Sequence, residues 1–193
     1  MTGINSIKQE EFFNKYPNLE TDRFILRELT DVYLSNIIEV MLDKETMEYS
    51  GMIIINAEKQ AKMFLGKVND MYKDKKGIRW AITCKGTGKY VGDIGLYNID
   101  IYSNRTEIGY TLSKQYWRQG VATECIDRLT EFAFNEFGMN KIILMIDDRN
   151  KKSINLAKKL RFNYDGILRE EYYLKDSDEY ISMNIFSKLK REY

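Results

Sequence analysis

A short segment over residues 115–124 combines a glycine, small residues and an arginine at the predicted start of a helix. It follows a strand-like run over residues 107–112 and opens a long amphipathic pattern that is typical of a helix. The first turn of a helix leaves backbone N–H groups without partners, and the helix dipole adds partial positive charge there. Gly120 lets the backbone approach a ligand closely, and Ala122 keeps the next position narrow. The segment therefore predicts a site for a phosphate or pyrophosphate group.

The composition is that of an ordinary folded protein, with 44% hydrophobic and 31% charged residues. A length of 193 residues predicts one domain over residues 1–193, with residues 1–20 as an N-terminal extension. The formal net charge of +1 disfavours nucleic acid as a partner, because nucleic-acid binders carry a basic excess. Two cysteines, Cys84 and Cys125, indicate buried thiols in a reducing compartment. Without a signal-peptide pattern or a long apolar run, we predict a cytoplasmic protein with no membrane partner.

The chain contains no histidine, and this restricts the chemistry that it can perform. The commonest general base and the commonest metal ligand are both missing, and Ser-His and Cys-His nucleophile pairs are excluded. Without clustered thiols, a zinc site is not expected either. We therefore predict a site that uses no metal and relies on carboxylates, hydroxyl groups or water.

The hydrophobic pattern divides the chain into alternating strands and helices. The predicted strands cover residues 21–29, 78–84, 90–99, 105–112 and 141–146, and two more follow, the last over residues 180–186. The first predicted helix begins after an N-cap at Thr30–Asp31. Three further predicted helices cover residues 57–72, 121–137 and 153–160. We expect Met63, Phe64, Val68 and Met71 to point inward, and the strand 141–146 to be buried on both faces. The order β-α-α-β-β-β-α-β-α-β-β predicts an α/β (α+β) fold whose mixed, mostly antiparallel central sheet has helices on both faces.

Residues 117–124, Trp-Arg-Gln-Gly-Val-Ala-Thr-Glu, resemble the coenzyme A pyrophosphate loop of the GNAT superfamily of N-acetyltransferases, in the form of its RimJ/RimL-like branch. The family has Gln or Arg three residues before the glycine, where this chain has Trp117 and places the guanidinium next to it. The predicted element order is similar to the GNAT arrangement across nearly the whole chain. The resemblance implies acetyl-CoA as co-substrate, bound by Trp117, Arg118, Gln119, Gly120, Val121, Ala122 and Thr123.

Two further segments resemble GNAT cofactor motifs. In residues 146–162, Asn150 and Ser153 fall on the family's Asn and Ser positions, which implies that Asn150 bonds the pantetheine arm and that Ser153 lies near the thioester sulfur. Alternatively, Asn150 is only an N-cap and Ser153 a first-turn residue, since both types are common there. The strand segment Tyr110, Thr111 and Leu112 resembles the one whose backbone pairs with the pantetheine amides.

Acetyl transfer requires a neutral amine and a proton source for the leaving thiolate. Glu107, beside the cofactor strand, is the candidate general base, directly or through a water. Alternatively, Glu107 is only a solvated carboxylate on a strand and has no catalytic role. Some relatives use a Tyr seven residues after the Asn as the acid, but this chain has Ala157 there. Ser153 or water is therefore expected to supply the proton.

The acceptor amine is predicted only by class. An α-amine with a pKa of ~7.7–8.0 is easier to deprotonate at pH 7 than a lysine-like amine near ~10.4, which favours a peptide N-terminus or another low-pKa amine. Trp80, Tyr97, Tyr172 and Tyr173 either line the acceptor site or belong to the core. The leading hypothesis is an N-acetyltransferase, and the alternative is a GNAT-fold protein that binds an acyl-CoA without turnover. Both a monomer and a homodimer remain open.

Overall fold

The computed structural model describes residues 9–174 and 178–193, and eight strands in these ranges form one sheet. In chain order the strands are β1 (Leu19–Glu20), β2 (Phe24–Glu28), β3 (Ile78–Cys84), β4 (Tyr90–Asp100), β5 (Arg105–Leu112), β6 (Lys141–Asp147), β7 (Asn163–Leu174) and β8 (Glu179–Leu189). Their order in space is β1-β2-β3-β4-β5-β6-β8-β7. Neighbouring strands are antiparallel, except that β5 and β6 run parallel. The predicted mixed, mostly antiparallel sheet is therefore confirmed.

Helices connect these strands. They are α1 (residues 9–14), α2 (Leu34–Leu42), α3 (Lys44–Met47), α4 (Ala57–Lys73), α5 (Val121–Glu131) and α6 (Lys151–Lys159). A π-helical turn, Phe132–Glu136, extends α5, and Gly138 follows it at φ 86°, in the left-handed conformation that is common at the end of a helix. The sequence pattern does not predict β1 and α3, because two and four residues are too few to show a hydrophobic period.

The pairing of β5 with β6 is short. Only Arg105–Glu107 and Lys141–Ile143 are in register. Beyond them β5 still pairs with β4 as far as Leu112, and β6 still pairs with β8 as far as Asp147. The two strands therefore stay in the sheet but separate from each other toward their C-terminal ends. Backbone N–H and C=O groups of β5 that would face β6 need another partner there.

One face of the sheet forms the larger core. The register aligns Trp80, Ile94 and Tyr110 across β3, β4 and β5, and Trp80 and Ile94 are fully buried. This face packs against α5 and its π-helical turn, with Phe132 edge-on to Trp80 at 5.8 Å between ring centroids. The indole N–H of Trp80 donates to the Pro17 carbonyl at 2.6 Å. Trp80 is thus a core residue, the second of its two predicted alternatives.

The opposite face lies under α2 and α4 and contains a buried ion pair. Arg79 on β3 contacts Asp93 on β4, and both side chains are less than 10% exposed. The Tyr90 hydroxyl donates to Asp93 at 2.7 Å, and Arg79 reaches the Thr111 hydroxyl on β5 at 3.5 Å. Each charge therefore has a partner, which buried charges require. The network joins three adjacent strands and reaches β5 at Thr111, in the part of the strand that no longer pairs with β6.

Three local expectations are corrected. Met63 is 53% exposed, because the inward stripe of α4 runs through Ala61 and Val68, and a residue two positions from Ala61 points to the other side of the helix. The Thr30 side chain makes no capping bond, and a 3-10 turn, Asp31–Tyr33, precedes α2 instead. Strand β6 alternates between buried and half-buried positions rather than being buried on both faces. Its partly exposed residues, Lys141, Ile143 and Met145, share one face of the strand.

Of the predicted N-terminal extension, residues 1–8 lie outside the described residues. Within residues 9–20, Phe12 packs on Phe132 with ring centroids 5.1 Å apart, so this part contacts the larger core. The division into one domain with an extension stays a prediction. In the part of the chain that the structure describes, no helix combines the length and apolar character needed to cross a membrane.

Candidate functional site

The gap between β5 and β6 opens into a cavity of about 510 Å³. Residues of β5, the loop that follows it, the first turns of α5 and α6, and the C-terminal half of β6 line this cavity. Eleven of the thirteen residues predicted for the site are in this lining, and Glu107 and Gln119 are not. The eleven are Tyr110, Thr111, Leu112, Trp117, Arg118, Gly120, Val121, Ala122, Thr123, Asn150 and Ser153. The structure thus brings together residues from two segments that are separated by more than twenty positions.

The loop before α5 has the geometry of an anion cradle. Arg118 and Gly120 both have left-handed backbone conformations, with φ 58° and 77°. Gly120 is the N-cap of α5 and has no side chain with which to cap it. The first N–H groups of α5, beginning at Val121, therefore remain for a ligand, and the residues that carry them line the cavity. A Cβ atom at Gly120 would lie 3.4 Å from the Arg23 guanidinium and, apart from its neighbours in the chain, would meet no other atom of the described residues within 4 Å. The space around Gly120 is therefore open on the side away from Arg23. These features fit a pyrophosphate group.

Trp117 and Gln119 have structural partners. The Trp117 indole donates to the Leu112 carbonyl at 2.8 Å, which fixes the loop onto the end of β5. The Lys152 ammonium lies 4.5 Å from the centroid of the Trp117 ring. Gln119 does not line the cavity; its amide donates to the Gln115 carbonyl at 2.6 Å. Of the two, only Trp117 is placed to contact a ligand in the cavity.

The start of α6 joins a cap to a pair of hydroxyl groups. Asn150 Oδ1 accepts the backbone N–H of Ser153 at 3.0 Å, so Asn150 is an N-cap. Its side-chain oxygen is thereby occupied, and the amide nitrogen is the group that can donate to a ligand. The Ser153 and Tyr110 hydroxyls are 3.1 Å apart, and either can be the donor. Burial raises the pKa of Tyr110, against the opposing effect of the bond to Ser153, so Tyr110 stays protonated at neutral pH.

The Tyr110 hydroxyl is a site feature that the sequence analysis does not identify. The resemblance assigns only the Tyr110 backbone to the cofactor. The strand alternation does place Tyr110 on the same face as Ile108 and Leu112, which pack toward α5. Contact with Ser153, however, depends on how α6 lies against that face, and this is a tertiary relation that spacing does not contain.

Glu107 lies at the bottom of the gap and does not line the cavity. It is the last residue of β5 that pairs with β6, opposite Ile143. Its carboxylate accepts a hydrogen bond from the Asn98 side chain at 3.0 Å. Glu107 is half-buried and shares a strand face with Gly109 and Thr111, the face on which α2 and α4 pack. It can therefore reach a group in the cavity only through an intervening molecule such as water.

A second carboxylate, Asp147, does line the cavity. It is 5% exposed and accepts hydrogen bonds from the Arg149 guanidinium at 3.0 and 2.7 Å and from the Arg149 backbone at 2.9 Å. Burial alone would raise the pKa of Asp147, but the bonds from Arg149 outweigh burial and hold the pKa below its ordinary value. Asp147 is thus ionised and committed to Arg149, which makes it a poor proton acceptor. Asp147 is not among the residues predicted for the site.

The wall of the cavity that α3 forms carries another charged side chain. Glu45 lines the cavity and pairs with Lys114 at 2.7 Å and with Lys152 at 3.3 Å. It thus links α3 to the segments that follow β5 and β6. The aromatic residues considered for the acceptor site lie elsewhere. Trp80 is in the core, Tyr97 is half-buried under the helices, and Tyr172 and Tyr173 are exposed on β7; none of the four lines the cavity.

Comparison with known proteins identifies the family. The family described as acetyltransferase (GNAT) domain matches residues 23–163. The uncharacterized N-acetyltransferase YoaA of Bacillus subtilis is 31% identical over 175 residues, which cover 91% of this chain and 98% of that protein. The uncharacterized N-acetyltransferase p20 of Bacillus licheniformis is 30% identical over 175 residues, covering 91% and 97%. A crystal structure of a GNAT-family acetyltransferase from Bacillus anthracis has the same fold, with a TM-score of 0.80 at 18% identity over 91% of this chain and 100% of that one.

The chain belongs to the GNAT family of acetyltransferases, as the resemblance of its loop predicts. It is accordingly an acyltransferase of the acetyl-CoA-dependent kind that defines the family.

Replacing Gly120 with valine tests the anion cradle. A β-branched residue at φ 77° costs about 1–2 kcal/mol of backbone strain, and its side chain would press on the Arg23 guanidinium beside the loop. We expect Gly120→Val to weaken coenzyme A binding at least tenfold, about 1.4 kcal/mol, in isothermal titration calorimetry.

Gly86 provides a matched control. It has φ 80°, lies in the turn between β3 and β4, and has open space around its Cβ position. Gly86→Val carries the same kind of backbone strain away from the loop and should leave coenzyme A affinity unchanged. Equal affinity in Gly120→Val and the wild type would contradict the assignment of the cradle.

Proposed function

We propose that this protein transfers the acetyl group of acetyl-CoA to a primary amine, on a peptide or protein N-terminus or a small molecule, by direct attack while both are bound. One observation carries the proposal. A single cavity joins the start of α5, with its free N–H groups, to the hydroxyl pair of Tyr110 and Ser153. The first end suits a pyrophosphate, and the second suits the thiolate that an acyl transfer must release.

Acetyl-CoA is proposed to bind in the gap between β5 and β6. When bound, acetyl-CoA supplies a thioester carbonyl that a neutral amine can attack. The loop over residues 117–123 holds the pyrophosphate through its N–H groups. The backbone of Tyr110, Thr111 and Leu112 bonds the pantetheine arm in the manner of an added strand, because β6 does not pair with this part of β5. The amide nitrogen of Asn150 donates to the same arm.

Ser153 and Tyr110 act at the leaving group. Ser153 donates a hydrogen bond to the departing thiolate, and Tyr110 donates one to Ser153. Both hydroxyl groups keep their protons while they stabilise the negative charge, and the released thiolate takes a proton from water. A thiol with a pKa near ~8.5 is already a good leaving group, so this assistance is modest. The two hydroxyl groups are sufficient for it.

Glu107 is the proposed base for the amine. Because Glu107 does not line the cavity, a water molecule carries the proton from the amine to its carboxylate. The hydrogen bond from Asn98 fixes the orientation of that carboxylate at the bottom of the gap. Asp147 is unsuited to this role, since its carboxylate oxygens are already occupied by Arg149.

The acceptor is proposed to be an α-amine. Deprotonation at pH 7 costs about 1–1.4 kcal/mol for a peptide N-terminus and about 4.6 kcal/mol for a lysine-like amine, and a water-mediated base favours the smaller cost. Relatives differ here: one is named putative ribosomal N-acetyltransferase YdaF, from Bacillus subtilis, and another spermidine N(1)-acetyltransferase, from Escherichia coli. The loop sequence, which resembles the RimJ/RimL-like branch, supports the first class.

An acceptor screen that follows thiol release from acetyl-CoA tests the function. A panel should contain peptides with free N-termini, the same peptides with acetylated N-termini, spermidine, Nα-acetyl-lysine and aminoglycosides. We expect thiol release with free peptides and none with their acetylated forms, whose α-amine is blocked. Tight coenzyme A binding without thiol release from any amine would instead identify a binding protein without turnover.

Glu107→Gln tests the base. General-base assistance contributes ~10²–10⁴-fold, so turnover at pH 7 should fall by that order and recover toward wild type above the pKa of the amine, where no base is needed. Ser153→Ala should lower turnover less and at every pH. Glu131→Gln, an exposed change on α5, is the matched control and should have no effect. Identical pH profiles for Glu107→Gln and the wild type would assign the base elsewhere.

A further inference from the structure

Arg23, just before β2, makes three hydrogen bonds to the loop at the start of α5. Its backbone N–H donates to one carboxylate oxygen of Glu124 at 2.8 Å, and its Nε donates to the other at 2.7 Å. Its Nη1 donates to the Gln119 carbonyl at 3.0 Å. One residue therefore holds both ends of the segment that contains Gly120. Arg23 belongs to none of the sequence motifs and has no part in the proposed function.

The bond to Gln119 sets the orientation of one peptide unit. Every peptide bond of the described residues is trans, so the carbonyl of Gln119 and the N–H of Gly120, which share a peptide plane, point in opposite directions. Holding the carbonyl toward Arg23 turns the N–H away from it. Gly120 lines the cavity and Gln119 does not, which matches this arrangement. A free peptide unit next to a glycine could otherwise rotate and present its carbonyl oxygen to an anion.

The bonds to Glu124 remove a second obstacle to anion binding. Glu124 lies in the first turn of α5, where its negative charge would compete with a phosphate for the helix N-terminus. Burial raises the pKa of Glu124, but hydrogen bonds from Thr21 and Arg23 outweigh burial and lower it, so the carboxylate is ionised. Arg23 directs both carboxylate oxygens toward itself and balances their charge.

Stability does not account for this arrangement. The Arg23 side chain is 49% exposed and that of Glu124 is 21% exposed. Ion pairs at such positions typically add little to the free energy of unfolding, since water screens them. The three bonds instead share one consequence, a loop whose N–H groups and net charge suit an anion.

We propose that Arg23 is a positioning residue that holds the loop from Arg118 to Glu124 in its anion-binding conformation. The inference rests on the proposed function, in which this loop binds the pyrophosphate of coenzyme A. It predicts a binding defect that is confined to ligands with a pyrophosphate group. It also makes Arg23 part of a site whose loop lies more than ninety positions later in the chain.

The test compares Arg23→Met with Arg27→Met, which removes an exposed arginine from the same strand region and away from the loop. Calorimetry should give a coenzyme A dissociation constant raised about tenfold in Arg23→Met and unchanged in Arg27→Met. Dephospho-coenzyme A, which keeps the pyrophosphate and lacks the 3′-phosphate, should show the same loss. Turnover of S-acetylpantetheine, which has no pyrophosphate, should be equal in the wild type, Arg23→Met and Arg27→Met. In Arg23→Met, KM for acetyl-CoA should rise while kcat stays constant. Arg23→Lys, which keeps the charge but cannot bridge two acceptors in this geometry, should resemble Arg23→Met.

Each other outcome overturns the inference in an identifiable way. Unchanged coenzyme A affinity in both Arg23 variants removes the positioning role. A loss seen with coenzyme A and not with dephospho-coenzyme A makes Arg23 a ligand of the 3′-phosphate. A loss that extends to S-acetylpantetheine indicates general damage to the fold. Failure of the wild type to bind coenzyme A would contradict the proposed function itself, and the inference with it.

Discussion

The separation of β5 from β6 after three paired residues is the constraint on which the site depends. Each strand is followed by a helix, and each helix begins beside the gap, α5 after its N-cap Gly120 and α6 after its N-cap Asn150. Two helix N-termini, with their partial positive charge, therefore border one cavity. The same separation leaves backbone groups of β5 for a ligand. An extended, negatively charged molecule such as coenzyme A matches both features of the gap.

Two polar networks keep β5 and its loop in place while β6 is absent from one side. Below the sheet, the buried pair of Arg79 and Asp93 reaches Thr111 and joins β3, β4 and β5. At the end of the strand, Arg23 holds Glu124 and the Gln119 carbonyl. A strand that has lost one neighbour is thus supported from the other side and from its end. Such support positions the site before a ligand arrives, which reduces the ordering cost of binding.

The features that could be predicted from the sequence are those encoded locally. The strand Arg105–Leu112 and the left-handed Gly120 follow from alternation and from the position of a glycine before a helix. The separation of β5 and β6 does not follow from the sequence, since neither strand contains a local signal for where their pairing ends. Contacts between distant residues, such as Tyr110 with Ser153 or Arg23 with Glu124, are equally invisible to spacing arguments. The exposure of Met63 shows the limit of hydrophobicity alone, because a methionine fits either side of α4.

The central claim is that the gap between β5 and β6 binds coenzyme A through backbone N–H groups, and amide hydrogen exchange measures those groups directly. Adding saturating coenzyme A should slow exchange over residues 110–112, 118–124 and 150–153. The edge strand β7, on the far side of β8, should exchange at the same rate with and without the ligand. Protection confined to β7 and β8, or bound coenzyme A that leaves the amides of residues 118–124 exchanging as before, would contradict the claim.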